Sequence, residues 1–286
     1  MTAFHIVDVF TGAAFAGNPL AVISDARGLE EARLQKIARE FNFSETTFVY
    51  PPEIAGDPPR VRIFTPMTEV PFAGHPTIGT AVVLAALGHD PEMVLQLGVG
   101  PIPVTVNGRR AEFATEVPLN VGVSPEVADV AACLGLKAED IATGRHGPVA
   151  AGVGLDFVLV ELASDAALAA AAPQTKAFVE AQARYQISLD FAVLAYRRTG
   201  SKIRARMFAP LDGVPEDPAT GSAAAALTAY LAGLEGRDVA LTIDQGIEMG
   251  RPSRIETACR TEGGAPVETR VAGEVTFVAE GRLPLD

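Results

Sequence analysis

Arg62-Ile63-Phe64-Thr65-Pro66, followed by Val70-Pro71, His75-Pro76 and Gly79-Thr80-Ala81, leads into an uncharged apolar stretch. The same order returns as Arg206-Met207-Phe208-Ala209-Pro210, Val214-Pro215, Asp217-Pro218 and Gly221-Ser222-Ala223, again opening an apolar stretch. Each copy reads as a strand, a loop and the N-terminus of a buried helix. Residues 77–87 and 219–232 carry no charged side chain, and a helix that is apolar on all sides is buried. Proline suits the first helical position, where its missing N–H is no loss. This places His75 and Asp217 near the N-caps, just outside the helices, with Gly88 and Gly233 as C-terminal stops. A duplicated scaffold with a polar residue at each helix mouth predicts one site built between two halves.

The repeat extends upstream. Leu34, Ile37, Ala38 and Phe41 lie at helical spacing, as do Phe178, Ala181 and Tyr185. Both segments then turn into strands, at 43–49 and 187–193. Ser44 aligns with Ser188, so Glu45 aligns with Leu189 and the glutamate occurs in the first half only. Residues 4–10, 20–23 and 157–162 read as further strands. Residues 104–113 read as a hairpin turning at Asn107-Gly108, and 271–277 as one turning at Ala272-Gly273. The halves divide near Pro118, into 1–118 and 119–286. Residues 119–124 form a linker, and Ser124-Pro125 starts a helix. A last strand crossing back to the first half stays open.

Composition narrows the function. With 286 residues and 48% hydrophobic residues, the chain has material for two cores. Its net charge of −12 and pI near 4.8 come with no basic stripe, which argues against nucleic acid as a partner. The apolar runs are too short to span a membrane, and no secretory signal is read at the N-terminus. Two cysteines, Cys133 and Cys259, do not make a disulfide framework. A cytoplasmic enzyme is the default expectation. No dinucleotide, phosphate-loop or zinc motif is present, and the histidines show no metal-ligand spacing. No metal and no cofactor is expected, and side chains are expected to do the chemistry.

Two helix mouths facing one cleft would bind a carboxylate through free N–H groups and the helix dipole. Gly74, Gly79 and Gly221 would let a substrate approach the backbone; they would equally serve tight packing of helix against sheet. Glu45 begins a strand near Phe43 and Phe48. In a partly dry pocket its carboxyl would hold and release a proton near neutrality; otherwise it is a solvent-facing loop-end residue. His75 would hydrogen-bond a substrate hydroxyl or share protons with Glu45, as a neutral imidazole beside a helix N-terminus, or be an ordinary loop residue. Asp217 reads first as a helix cap, with an oxygen to spare for a substrate ammonium.

The blocks Gly17-Asn18-Pro19-Leu20-Ala21-Val22, Asn42-Phe43-Ser44-Glu45-Thr46-Thr47-Phe48-Val49, Pro71-Phe72-Ala73-Gly74-His75-Pro76-Thr77, Glu216-Asp217-Pro218-Ala219-Thr220-Gly221-Ser222 and Asp244-Gln245-Gly246-Ile247-Glu248-Met249-Gly250-Arg251-Pro252-Ser253 resemble the PhzF family of phenazine-biosynthesis-type isomerases. That family resembles diaminopimelate epimerase in fold. The resemblance covers nearly the whole chain. It implies an α+β fold of two similar pseudo-repeated domains, each a curled, mostly antiparallel sheet around a central buried helix. It implies a cofactor-independent isomerase, often a homodimer, shifting a proton within a small carboxylate-bearing substrate. It carries the acid/base glutamate to Glu45, the site histidine and aspartate to His75 and Asp217, and the carboxylate-binding backbone to Gly221 and Ser222. Asn18 and Gly74 join the substrate-binding positions; Asn18, Gln245 and Arg251 match signature positions without a defined role. The related racemases carry a cysteine at each helix mouth. Here Ala73-Gly74-His75 and Ala219-Thr220-Gly221 stand there instead, which disfavours a two-thiol racemase. The alternatives are an epimerase or racemase of a small amino or hydroxy acid, and a non-catalytic small-molecule-binding protein on the same fold.

Overall fold

The structure is a computed structural model that describes residues 1–284 apart from 53, 55, 188 and 189. Contacts divide the chain into two compact units, Met1–Ala114 with Val271–Asp286, and Thr115–Arg270. In the first, β1 (Thr2–Val9), β2 (Asn18–Ile23), α1 (Glu31–Phe41), β3 (Glu45–Tyr50), β4 (Arg60–Phe64), β5 (Glu69–Val70), α2 (Gly74–Ala86), β6 (Glu92–Leu97), β7 (Gly100–Asn107) and β8 (Arg110–Thr115) follow in order. β1 pairs antiparallel with β2, β2 parallel with β3, β3 antiparallel with β4 and β4 parallel with β6. β6, β7 and β8 continue antiparallel, and β4 also carries the short β5.

The second unit contains β9 (Asn120–Val121), α3 (Val127–Cys133), β10 (Val149–Gly152), β11 (Asp156–Glu161), α4 (Asp165–Ala170) and α5 (Thr175–Tyr185). It continues with β12 (Val193–Thr199), β13 (Lys202–Ala209), β14 (Val214–Asp217), α6 (Gly221–Glu235), β15 (Val239–Gln245), β16 (Ser253–Glu262) and the start of β17 (Ala265–Leu283). Its steps repeat those of the first unit. β10 and β11 are antiparallel, β11 and β12 parallel, β12 and β13 antiparallel, β13 and β15 parallel, and β15 and β16 antiparallel, with β14 beside β13. The repeat includes the way the surface helices end. Asn42 after α1 and Gln186 after α5 both take left-handed backbone, and each returns its N–H to a carbonyl four residues back. The expected alignment of Ser188 and Leu189 with Ser44 and Glu45 lies outside the described residues.

The central helices are the buried elements the apolar runs predict. Every residue from Gly74 to Leu84 of α2 is buried, and α6 is buried along most of its length. Each surface helix covers the other face of its sheet. In the first unit Leu34 and Ala38 of α1 meet Ile23, Phe48 and Phe64; in the second Phe178 and Ala181 of α5 meet Val158, Val193 and Phe208. Strands covered on both faces read as continuous apolar runs, which is why Leu20 to Ile23 are all buried.

Three expectations change. The division at 118 misses the last strand: β17 leaves the second unit and pairs antiparallel with β1, from Thr2 opposite Leu283 to Val9 opposite Val275. It also pairs with β8, so the first unit's sheet closes on itself around α2. There is no turn at Ala272-Gly273. β17 runs straight through, and a Cβ at Gly273 would lie 2.2 Å from the Phe10 ring, so this glycine admits an aromatic side chain. The turn before β17 is Gly263-Gly264, both at positive φ. Residues 119–124 are not a bare linker, since β9 pairs with β10, and α3 begins at Val127 after Glu126 rather than at Ser124-Pro125. Among the described residues no helix is long and apolar enough to cross a membrane.

Candidate active site

The mouth of α2 starts earlier than its prolines suggest. Ala73 is the N-cap, extended at φ −151° and ψ 141°, and Gly74 opens the helix. His75 is therefore a helical residue, and Pro76 sits within the first turn, where N–H groups lack intrahelical partners anyway. Gly79 answers the packing question. A Cβ there would lie 2.6 Å from Leu20 Cδ2 and 2.8 Å from Val9 Cγ2, so Gly79 lets α2 rest on β1 and β2.

Glu45 opens β3, directly after the left-handed turn at Asn42. Side chains of a strand alternate between faces, so Glu45 shares a face with Thr47, and Phe48 lies on the other. Thr47 Oγ1 hydrogen-bonds Thr80 Oγ1 of α2 at 2.9 Å, which marks the inner face. Phe48 instead packs edge-on against Phe64 in the outer cluster, and Phe43 stacks on Phe41. The surroundings of Glu45 are thus set by α2 and not by the neighbouring phenylalanines. Glu45 Oε2 lies 3.5 Å from His75 Nε2, with side-chain exposures of 18% and 5%.

Burial holds His75 down to about 3, against a smaller opposing effect of a hydrogen bond to the Pro19 carbonyl. The imidazole is neutral, as expected, but desolvation is the main cause rather than the helix dipole. The Glu45 contact is therefore carboxyl to neutral imidazole, not an ion pair. His75 Nε2 makes no hydrogen bond among the described residues. Its Nδ1 lies 3.4 Å from Asn18 Nδ2, and Ser44 Oγ donates to Asn18 Oδ1 at 3.0 Å. Asn18, at the start of β2, is itself buried. The first unit thus gathers Asn18, Ser44, Glu45, Gly74 and His75.

The second unit gathers Asp217, Thr220, Gly221, Ser222 and Gln245. Asp217 is the last residue of β14, paired opposite Met207. It is not the helix cap, because the strand pairing carries the chain on to Thr220, which is the N-cap of α6. Gly221 and Ser222 begin the helix, Gly233 lies inside it, and Gly236 ends it in left-handed conformation. Neither central helix has a side-chain cap or an acidic residue in its first turn. Gln245, a signature position without an expected role, bonds both Asp217 and Thr220. Arg251 closes the turn after it, with its N–H on the Gly246 carbonyl at 3.0 Å.

The duplicated arginines are braces. Arg62 stacks over Phe64 and pairs with Glu31 and Glu69. Arg206 stacks over Phe208, pairs with Glu216 at 2.8 Å, and donates to the carbonyls of Leu168, Ala169 and Ala171 at the end of α4. Both cysteines are buried. Burial pushes the Cys133 thiol up to about 12 and raises that of Cys259, the opposite of a reactive thiolate. Among the described residues no group of three or more His, Cys, Asp and Glu is placed to hold a metal ion.

The profile of the PhzC-PhzF family, described as phenazine biosynthesis-like protein, matches residues 7–281. The chain is 36% identical to the trans-2,3-dihydro-3-hydroxyanthranilate isomerase of Pseudomonas aeruginosa, covering all of both chains. Its fold matches the PhzF-family phenazine biosynthesis protein of Bacillus anthracis at a TM-score of 0.87 and 23% identity, over 99% of each chain. It also matches a predicted epimerase of Pseudomonas aeruginosa at a TM-score of 0.82 and 30% identity, over 99% of each chain. With an α+β architecture and a profile match from near one end to the other, the chain belongs to the PhzC-PhzF family and is an isomerase.

Proposed function

We propose that this isomerase moves a proton between two carbons of a small, conjugated, carboxylate-bearing substrate, with Glu45 as the acid/base and no cofactor. The observation that carries the reading is the pairing of Glu45 with a buried, neutral His75 at 3.5 Å. Either tautomer of the neutral ring serves. As an N–H, Nε2 would donate to the carboxylate once the pair closes from 3.5 Å; as a lone pair, it would accept the carboxyl proton. The carboxylate of Glu45 takes a proton from one carbon and returns it at another, so that the double bonds shift and no atom is gained or lost. The substrate class follows from the relative named for trans-2,3-dihydro-3-hydroxyanthranilate, a ring with a carboxylate, an amine and a hydroxyl. Each central helix, taken by itself, has a first turn without a side-chain cap, a setting that suits a carboxylate or developing negative charge. Asp217 suits the amine.

The epimerase alternative needs a second proton donor. Asp217 fits that role poorly, because its Oδ2 already accepts the Thr220 hydroxyl proton. The test is incubation with trans-2,3-dihydro-3-hydroxyanthranilate, followed by proton NMR. Conversion to a double-bond isomer supports the reading. Inversion at one carbon with the double bonds unmoved supports the epimerase, and binding without conversion supports a non-catalytic protein.

A further inference from the structure

We propose that Gln245 and Thr220 are positioning residues that fix Asp217 as a hydrogen-bond acceptor of set orientation. The inference rests on the reading of Asp217 as a substrate contact. Gln245, Thr220 and Asp217 form a chain of hydrogen bonds whose directions follow from the chemistry of the groups.

Gln245 is the last residue of β15 and is 1% exposed. Its Nε2 donates to the Asp217 main-chain carbonyl at 2.8 Å, and its Oε1 accepts from the Thr220 main-chain N–H at 3.4 Å. A carbonyl only accepts and a backbone N–H only donates, so the amide has one allowed orientation. The same Nε2 reaches Thr220 Oγ1 at 3.1 Å. The threonine oxygen is therefore an acceptor toward Gln245, and its single proton goes to Asp217 Oδ2 at 2.5 Å. That oxygen of Asp217 is the acceptor of the Thr220 hydroxyl proton.

Two further features mark this as more than loop packing. Thr220 is the N-cap of α6, a position where a threonine hydroxyl ordinarily bonds the helix's own amides. Here it makes no such cap and is given to the carboxylate instead. A local rule broken at one position points to function. In addition, Gly246 has φ +73°, and a Cβ there would lie 2.6 Å from the Pro218 carbonyl oxygen and 2.5 Å from that of Arg251. The end of β15 thus presses on the Asp217–Thr220 segment through backbone while Gln245 holds it through a side chain. A carboxylate held this way needs no reorganisation when substrate arrives.

The test compares Thr220→Val, which removes the hydroxyl at nearly constant shape, with Thr220→Ser, which keeps it. The Asp217 carboxyl is followed by carbon-13 NMR across pH, and kcat and KM are measured with trans-2,3-dihydro-3-hydroxyanthranilate. In Thr220→Val the carboxyl should titrate about one pH unit higher, since its charged form has lost a donor. KM should rise about fivefold with a smaller change in kcat. Thr220→Ser should restore both. An unchanged Asp217 titration in folded Thr220→Val, or failure of Thr220→Ser to restore it, overturns the proposal. If Thr220→Val does not fold, Gln245→Met decides by the same titration, with the same direction expected. Asp217→Asn separates the two readings. If it keeps wild-type KM and kcat while Thr220→Val still moves the titration, the brace stands and the substrate contact falls.

Discussion

The mouths of α2 and α6 are built on one repeated scaffold and carry different polar groups. At α2, a histidine inside the helix is stripped of water and left neutral against a partly exposed carboxyl. At α6, the carboxylate lies outside the helix and is supplied with a hydrogen bond by a threonine that an amide holds in turn. In the proposed mechanism the first arrangement is the one that passes a proton, with His75 neutral beside the Glu45 carboxyl. The second holds the Asp217 side chain in place through Thr220 and Gln245. What the two units share is structural: the buried helix, the left-handed turn after each surface helix, and an arginine stacked on a phenylalanine and paired with glutamate. The two units thus share one frame and differ in the polar groups at the helix mouths.

The largest effect should come from removing the mobile proton. Glu45→Gln keeps the side-chain size and is expected to cut turnover on the order of a hundredfold or more with substrate still bound. Steady-state rates and ligand affinity measured together check this; a loss in affinity alone would make Glu45 a binding group and erase the contrast between the mouths.

A second prediction concerns acid. His75 is held at about 3 in the folded chain, against roughly 6.5 when unfolded. Because the folded value is depressed, its contribution to stability is full above the unfolded value and is lost as pH falls toward 3. Over that window this one group should cost up to about 1.4 kcal/mol per pH unit. Denaturant unfolding at several pH values should show a shallower loss for His75→Asn than for the wild type. Equal slopes would mean that His75 charges in place and that the α2 mouth is not dry.

Asp217→Ala should weaken substrate binding by about tenfold through the loss of a charged hydrogen-bond partner, with deuterium exchange into bound substrate retained. Since Asp217 is not the cap of α6, no loss of stability through capping is expected, and calorimetry on the variant tests that. The smallest effect belongs to the cysteines. Cys133→Ala and Cys259→Ala should leave turnover within about twofold, because neither thiol is accessible or acidic, although deleting buried Cys133 should cost roughly 1 kcal/mol of stability. A large fall in turnover in folded protein would revive a thiol mechanism.

The paired blocks, the buried helices and the surface helices were legible because apolar periodicity and uncharged runs are local signals. Glu45 stood out in the sequence through the lack of a counterpart in the second half's aligned block; its place beside His75 is what the structure adds. The caps were hidden because Pro76 and Pro218 suggest helix starts, whereas Gly74 begins α2 two residues before Pro76 and the pairing of β14 delays α6 to Gly221. The course of β17 was hidden because Gly273 makes room for the ring of Phe10, just past the end of β1. Gln245 was visible only as part of a signature. Its partners lie 25 and 28 residues away in sequence, and no periodicity reports a bond of that kind.

The central claim is that Glu45 carries the proton that moves between carbons. Its most direct test is carbon-bound deuterium incorporation from heavy water during reaction with trans-2,3-dihydro-3-hydroxyanthranilate, in the wild type and in Glu45→Gln. A proton that spends part of the cycle on a partly exposed carboxyl should exchange with solvent. The wild type should therefore incorporate deuterium, and Glu45→Gln should lose incorporation and turnover together, on the order of a hundredfold, while still binding substrate. Near-normal deuterium incorporation and turnover in Glu45→Gln would contradict the account.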